Sequence, residues 1–234
     1  MTKLGIIGAM QIEVETLVEK LENKREAPHA GSVYYEGELE GLSVVVVQCG
    51  VGKVNAAICA QILCSCYGVT HIVNTGIAGS LSAQLDIGDL VVSRDAMYHD
   101  FDCVHFGYEM GKVPGMDVVA FPADKQLMDL AFAAAEAVNP GHTATGRVAS
   151  GDLFVAEKSA KERIIQRTGA VCTEMEGAAI AHTAYRNAVP FVILRAISDK
   201  ADDSAEMDYP TFERIAAHRC ANVVQILAKQ LRGA

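Results

Sequence analysis

Short apolar runs alternate along the chain with stretches whose apolar positions recur every three or four residues. The first pattern predicts strands at Leu4–Ile7, Ser43–Gln48, His71–Thr75, Asp89–Ser93, Thr145–Ala149, Ala170–Cys172 and Pro190–Ala196. Several of these are continuous Val/Ile runs, as in strands buried on both faces. The second pattern predicts helices at Gln11–Leu21, Val54–Ser65 and Gly177–Asn187. Val54, Ile58 and Ile62 mark one face of the second of these. A further helix carries Leu127, Leu130, Ala131, Ala134 and Val138 on one face, with Asp124 placed to cap its start. The last runs from Pro210 to Leu231, with the proline in its first turn. There is no internal repeat, low-complexity stretch or linker, so the pattern describes an α/β sheet covered by helices in one domain. Several strands end in Gly or an acidic residue just before a helix. In open α/β sheets that carboxyl edge is where ligands bind.

Composition narrows the field. The 234 residues are half hydrophobic, enough for a sizeable core. Twenty basic against 29 acidic side chains leave a net charge of −9. That balance argues against nucleic acid as a partner, since no cationic excess exists to displace counterions. It argues equally against a multiply charged phosphate ester as substrate. No apolar run approaches the roughly 18–20 residues that span a bilayer. The short Leu4–Met10 run, interrupted by Glu13, reads as a first strand and not as a signal peptide. Seven cysteines scattered through apolar stretches are expected to be free thiols in a reducing cytoplasm. Cys64-Ser65-Cys66 has the wrong spacing for a zinc knuckle or redox pair, so neither metal nor redox cofactor is expected.

Four segments carry candidate chemistry. Gly5-Ile-Ile-Gly-Ala-Met10 leads to Glu13 as strand, turn and helix start, but lacks the dinucleotide-binding glycine spacing. Taken alone, Glu13 is either a carboxylate facing the sheet edge or a helix-dipole partner. Asn74-Thr-Gly76-Ile-Ala-Gly79-Ser80 allows close backbone approach to a ligand, and a plain turn explains it as well. Glu174 and Glu176 share a side if their segment is extended, which suits acceptance from vicinal sugar hydroxyls or a solvated acidic turn. Asp199 emerges after Arg195-Ala-Ile-Ser198, as a proton donor to a leaving group or as a turn aspartate.

In order and spacing, these segments and others resemble the 5′-methylthioadenosine/S-adenosylhomocysteine nucleosidases of the purine nucleoside phosphorylase superfamily. The other segments are Gly50-Val-Gly-Lys-Val-Asn-Ala56, Tyr98-His-Asp100, Phe106-Gly-Tyr-Glu109 and Ser150-Gly-Asp152. The likeness covers nearly the whole chain. It implies a nucleoside phosphorylase-like α/β fold: one domain of residues 1–234, with a mixed central β-sheet flanked by α-helices on both faces. It implies that Glu13 activates the attacking water and Asp199 protonates N7 of adenine. Glu176 would bind the ribose hydroxyls, Met175 would pack on the sugar, and Glu174 and Arg195 would lie near sugar and water. Phe154 would stack on adenine and the Val155 backbone would read its edge, with Ser198 and Ile77 also at the substrate. Met10, Val51 and Tyr209 would line the 5′-alkylthio pocket. Cys103, Phe106 and Pro114 of a second subunit would close it, which implies a homodimer. Two departures stand out: Ile77 where many members have Ser, and Tyr209 where Phe is usual, whose hydroxyl favours a polar 5′ tail.

The implied chemistry is hydrolysis without metal or organic cofactor. Adenine leaves poorly as an anion, and protonation makes it neutral. The ribose becomes oxocarbenium-like as the bond breaks, and surrounding carboxylates stabilise it. The expected substrates are methylthioadenosine, S-adenosylhomocysteine and 5′-deoxyadenosine, a role in methionine salvage. The rivals are a 6-amino-6-deoxyfutalosine nucleosidase, a phosphate-dependent phosphorylase and a non-catalytic nucleoside binder. A phosphorylase needs cationic groups that the first glycine loop lacks.

Overall fold

The computed structural model describes residues 2–202 and 205–233. The chain opens with β1 (Lys3–Gly8) and α1 (Gln11–Glu19), followed by β2 (Glu22–His29), β3 (Ser32–Leu39) and β4 (Leu42–Gln48). Next come α2 (Lys53–Ser65), β5 (His71–Ser80), β6 (Leu90–Tyr98), the short β7 (Phe121–Pro122) and α3 (Lys125–Val138). The remainder is β8 (Thr143–Ser150), α4 (Lys158–Thr168), β9 (Cys172–Glu174), α5 (Gly177–Arg186), β10 (Phe191–Asp199) and α6 (Ala205–Arg232).

All strands join one mixed sheet in the order β10-β6-β8-β9-β5-β1-β4-β3-β2, with β7 beside β6. A further parallel pairing of β10 with β5 closes the first five strands on themselves. The sheet therefore curls into a small barrel with β1, β4, β3 and β2 as an open wing. One face is covered by α1, α3 and α6, which share a core with Leu4, Val44, Val92 and Leu194. The other face is covered by α2 and α5, around Ile7, Val45, Ile72 and Ile193. These alternate residues of the same strands point to opposite faces, which is why the strands read as unbroken apolar runs. Among the described residues no helix is long and apolar enough to cross a membrane.

Several expectations are corrected. The predicted strand at 170–172 pairs instead over Cys172–Glu174. β5, β6 and β10 each run beyond their apolar stretch, so that Gly76 and Asp199 lie within strands. Of the Val54/Ile58/Ile62 stripe only Ile62 packs against the core, and partly; α2 buries Ala56, Cys59, Ala60 and Leu63 against α5, where small residues permit close approach. Val54 and Ile58 are 70% and 42% exposed. Residue 210 falls in the second turn of α6, not the first. Asp124 does cap α3, its carboxylate accepting from Leu127 N at 2.9 Å.

Candidate active site

A cavity of about 430 Å³ opens at the carboxyl ends of β1, β5, β9 and β10. Its wall includes Glu13, Glu174, Glu176 and Asp199, all buried. The volume lies within the range that holds a small organic ligand.

Glu13 is the third helical residue of α1. Its Oε2 accepts from Ala9 N (2.7 Å) and Met10 N (2.9 Å), and its Oε1 from Ile77 N (3.1 Å). The carboxylate thus caps the start of α1 and, in the same pose, lines the cavity. Burial pushes its pKa up, opposed by the Arg195 charge and the three amides. A Cβ at Gly76 would collide with both the Glu13 carboxylate and the Arg195 guanidinium, so only glycine fits between them.

Glu174 ends β9. Its Oε1 accepts from Ser150 Oγ; its Oε2 accepts from Arg195 Nη2, Glu176 N (3.1 Å) and Gly177 N (2.7 Å). Its oxygens are thus taken up by the protein, leaving little capacity to accept from a sugar. Arg195 lies beneath the cavity and not in its wall, 1% exposed, and also donates to Asn74 Oδ1 at 2.5 Å. Glu176 is the N-cap of α5, and its Oε1 accepts from Gly52 N at 2.8 Å. Burial, reinforced by the Glu174 charge and opposed by Arg195, pushes Glu176 up to about 7.

Asp199 ends β10 at a register shift against β5. Its Oδ1 accepts from Ala201 N and its Oδ2 from Ser198 Oγ, both at 2.8 Å. Gly79 packs on Oδ1 from the neighbouring strand.

The remaining wall is apolar: Met10, Val51, Ile77, Ala78, Phe154, Met175 and Tyr209, with Ser198 and Thr173 between them. The Tyr209 and Phe154 rings meet nearly perpendicular, with centroids 5.7 Å apart. The Tyr209 hydroxyl donates to Met10 Sδ at 3.1 Å, so that group is engaged at the cavity mouth. Val155 lines a smaller adjoining pocket with Phe154, Gly79 and Asp199. Cys103, Phe106 and Pro114 do not line this chain's own cavity; Phe106 is 83% exposed.

Sequence reasoning assigned no role to Ser150, Gly52 and Asn74, which orient Glu174, Glu176 and Arg195. All three stand in the quoted motifs, so the signal was present without the partner that explains it. Among the described residues no group of three or more His, Cys, Asp or Glu is placed to hold a metal ion.

An acid-rich hollow with one aromatic wall, at the open edge of a curled mixed sheet, defines the class of protein. The family model of the phosphorylase superfamily matches residues 3–229. A 5′-methylthioadenosine/S-adenosylhomocysteine nucleosidase of Chromohalobacter salexigens is 40% identical over 99% of this chain and 98% of its own length. The solved structure of the nucleosidase of that name from Neisseria meningitidis, in complex with methylthio-immucillin-A, superposes with a TM-score of 0.95. It is 35% identical and covers 98% of this chain and 100% of its own. A futalosine hydrolase from Helicobacter pylori superposes at 0.93 with 30% identity, covering 98% of each chain. The chain belongs to the phosphorylase superfamily and, within it, to the 5′-methylthioadenosine/S-adenosylhomocysteine nucleosidase family.

Proposed function

We propose that this protein hydrolyses the N-glycosidic bond of 5′-methylthioadenosine and S-adenosylhomocysteine, and of 5′-deoxyadenosine, releasing adenine and the 5′-substituted ribose. The observation that carries this reading is the convergence of Glu13, Glu176 and Asp199 on one cavity beside Phe154. Asp199 hands a proton to N7 as the C1′–N9 bond breaks, so the base departs neutral. The ribose carries positive charge at that moment, and the buried Glu13 and Glu176 stabilise it in a poorly hydrated site. Glu176 accepts from the ribose hydroxyls with the oxygen that Gly52 leaves free. Glu13 takes a proton from the water whose oxygen bonds to C1′. Phe154 and the Val155 backbone hold the base, and Met10, Val51, Met175 and Tyr209 enclose the sugar and its 5′ substituent.

Phosphorolysis is disfavoured because, among the described residues, no Lys or Arg lines the cavity, while four carboxylates do. A second substrate class, 6-amino-6-deoxyfutalosine, draws support from the likeness to futalosine hydrolase. The same groups serve it, since the difference lies at the 5′ end.

The working unit we propose is a homodimer in the cytoplasm, acting in methionine salvage and in clearing by-products of S-adenosylmethionine. Val54, Ile58, Val104 and Phe106 are large apolar side chains left exposed by the single chain. In the dimer Cys103, Phe106 and Pro114 of one subunit close the 5′ end of its partner's cavity. All seven cysteines are free, in keeping with a reducing compartment.

The test is release of free adenine from each candidate nucleoside, with and without phosphate. Equal adenine release in both conditions is expected. Strict phosphate dependence with ribose-1-phosphate as product would overturn hydrolysis, and binding without adenine release would make the protein a nucleoside binder.

A further inference from the structure

Two loops wall the cavity without being neighbours in the sheet. The loop between β4 and α2 carries Val51, and the loop between β8 and α4 carries Phe154. Strands β9, β5 and β1 separate β8 from β4. The loops nevertheless meet through charged side chains. Lys53 N donates to Asp152 Oδ1 at 2.9 Å, and Lys53 Nζ stands 3.7 Å from Asp152 Oδ2. Asp100, just beyond β6, places a single oxygen between them: its Oδ2 accepts from Lys53 Nζ at 2.5 Å and from Asp152 N at 3.0 Å.

The arrangement also completes the start of α2. Its N-cap is Gly52, which has no side chain to accept from the first helical amides. Two carboxylates from other elements instead accept from the amides where the helix begins: Glu176 takes Gly52 N and Asp152 takes Lys53 N. Gly52 has φ +98°, a conformation that favours glycine, and a Cβ there would stand only 3.1 Å from the Asp152 carboxylate. From the other side, the His99 ring fills the space under Gly151 and fixes the height of the second loop.

We propose that Lys53, Asp100 and Asp152 form a charged clasp that holds the Val51 and Phe154 walls at the spacing a bound nucleoside requires, making Lys53 a positioning residue for substrate affinity. This rests on the nucleosidase reading above. If the clasp opens, the Gly52 amide shifts relative to Glu176 and Phe154 drifts from the base. The reacting bond, set by Glu13 and Asp199, is not displaced. In the single chain the three side chains are partly exposed, at 23%, 29% and 50%, so dissolved salt weakens the clasp. Methylthioadenosine carries no net charge, so a salt effect on its KM reports on the protein.

The experiment compares wild type with Lys53→Met and Lys53→Arg. Steady-state kinetics on 5′-methylthioadenosine are run from about 50 to about 500 mM KCl. Amide hydrogen exchange of residues 151–157 is measured on the ligand-free proteins. Lys53→Met should raise KM about fivefold or more with kcat within about twofold, abolish the salt dependence of KM and speed exchange in 151–157. Lys53→Arg should restore all three. An unchanged KM in Lys53→Met, or a loss of kcat and Tm with no change in exchange, would overturn the clasp. The exchange arm needs no turnover: a wild type that cleaves no 5′-thioadenosine sinks the nucleosidase reading, while exchange still decides the clasp.

Discussion

Glu174 and Asp199 sit in one cavity, but their partners give them different work. Glu174 is held by Arg195, Ser150 and two backbone amides. Glu174→Gln removes the one carboxylate paired directly with the buried guanidinium, and breaking such a buried pair typically costs about 3–5 kcal/mol. A large fall in Tm is expected, whatever happens to turnover. Asp199→Asn keeps an acceptor for Ala201 N but has no proton to give. It should lower kcat about 10²–10⁴-fold while Tm and nucleoside affinity, measured by scanning calorimetry and equilibrium binding, stay near wild type. The reverse pattern in the two variants would reject this division of roles. Glu176 adds a pH dependence. In the unfolded chain it titrates near 4.5, and in the folded chain near 7, because burial and the Glu174 charge disfavour its ionised form. Below pH 4.5 the group is neutral in both states and folding loses nothing. Between 4.5 and 7 the unfolded chain releases a proton that the folded chain retains, so stability falls as pH rises and levels off above 7. Glu176→Gln does not ionise and should gain on the order of 3 kcal/mol relative to wild type at pH 8, a gain that vanishes towards pH 4.5. Denaturant titration at both pH values measures it; an equal gain at the two would rule out this linkage.

At the scale of elements, local chemistry predicts best where it is self-contained. The Asp124 cap of α3 is such a case, and Asp124→Ala should cost about 1 kcal/mol of stability with kcat and KM unchanged. A shift in KM would mean that the cap reaches the site. The same locality explains what the sequence hid. β2 (ENKREAPH) is an exposed edge strand, half of it charged, with no alternation of apolar and polar residues. β3 buries only Tyr34 and Leu39 fully. α4 (KSAKERIIQRT) rests a narrow face, Ala160 and Ile164, on a small cluster beside Val155 and Ala201. In α2 the exposed Val54 and Ile58 are more hydrophobic than the buried Ala56 and Ala60, so at those positions periodicity pointed away from the core. The strand ends at Gly76 and Asp199 were legible as motifs but not as strands, because their pairing depends on partners 120 or so residues away. Glu13, Glu176 and Asp199 were readable through their resemblance to a known family. The burial of Arg195 was not, since no local pattern marks a cation placed under three glutamates.

Closure of the sheet is what brings the separate motifs together. Glu13 follows β1, Glu174 ends β9 and Asp199 ends β10, and β5 pairs with all three of those strands. The carboxyl edge around β5 thus becomes a ring of acids. With a net charge of −9, two copies repel one another at long range, so any association must come from apolar burial. The exposed Val54, Ile58, Val104 and Phe106 offer that burial. Sedimentation should therefore give twice the chain mass. Ile58→Glu places a charge on the α2 stripe without touching the cavity wall or the core. It should shift the protein to single chains and lower kcat/KM about tenfold or more, because the partner's Phe106 and Pro114 no longer cover the 5′ substituent. The loss should be greater for methylthioadenosine than for adenosine, whose 5′ hydroxyl needs no apolar cover. A wild type that sediments as one chain at full activity would place the closure of the pocket within the chain itself, and Cys103, Phe106 and Pro114 outside the site.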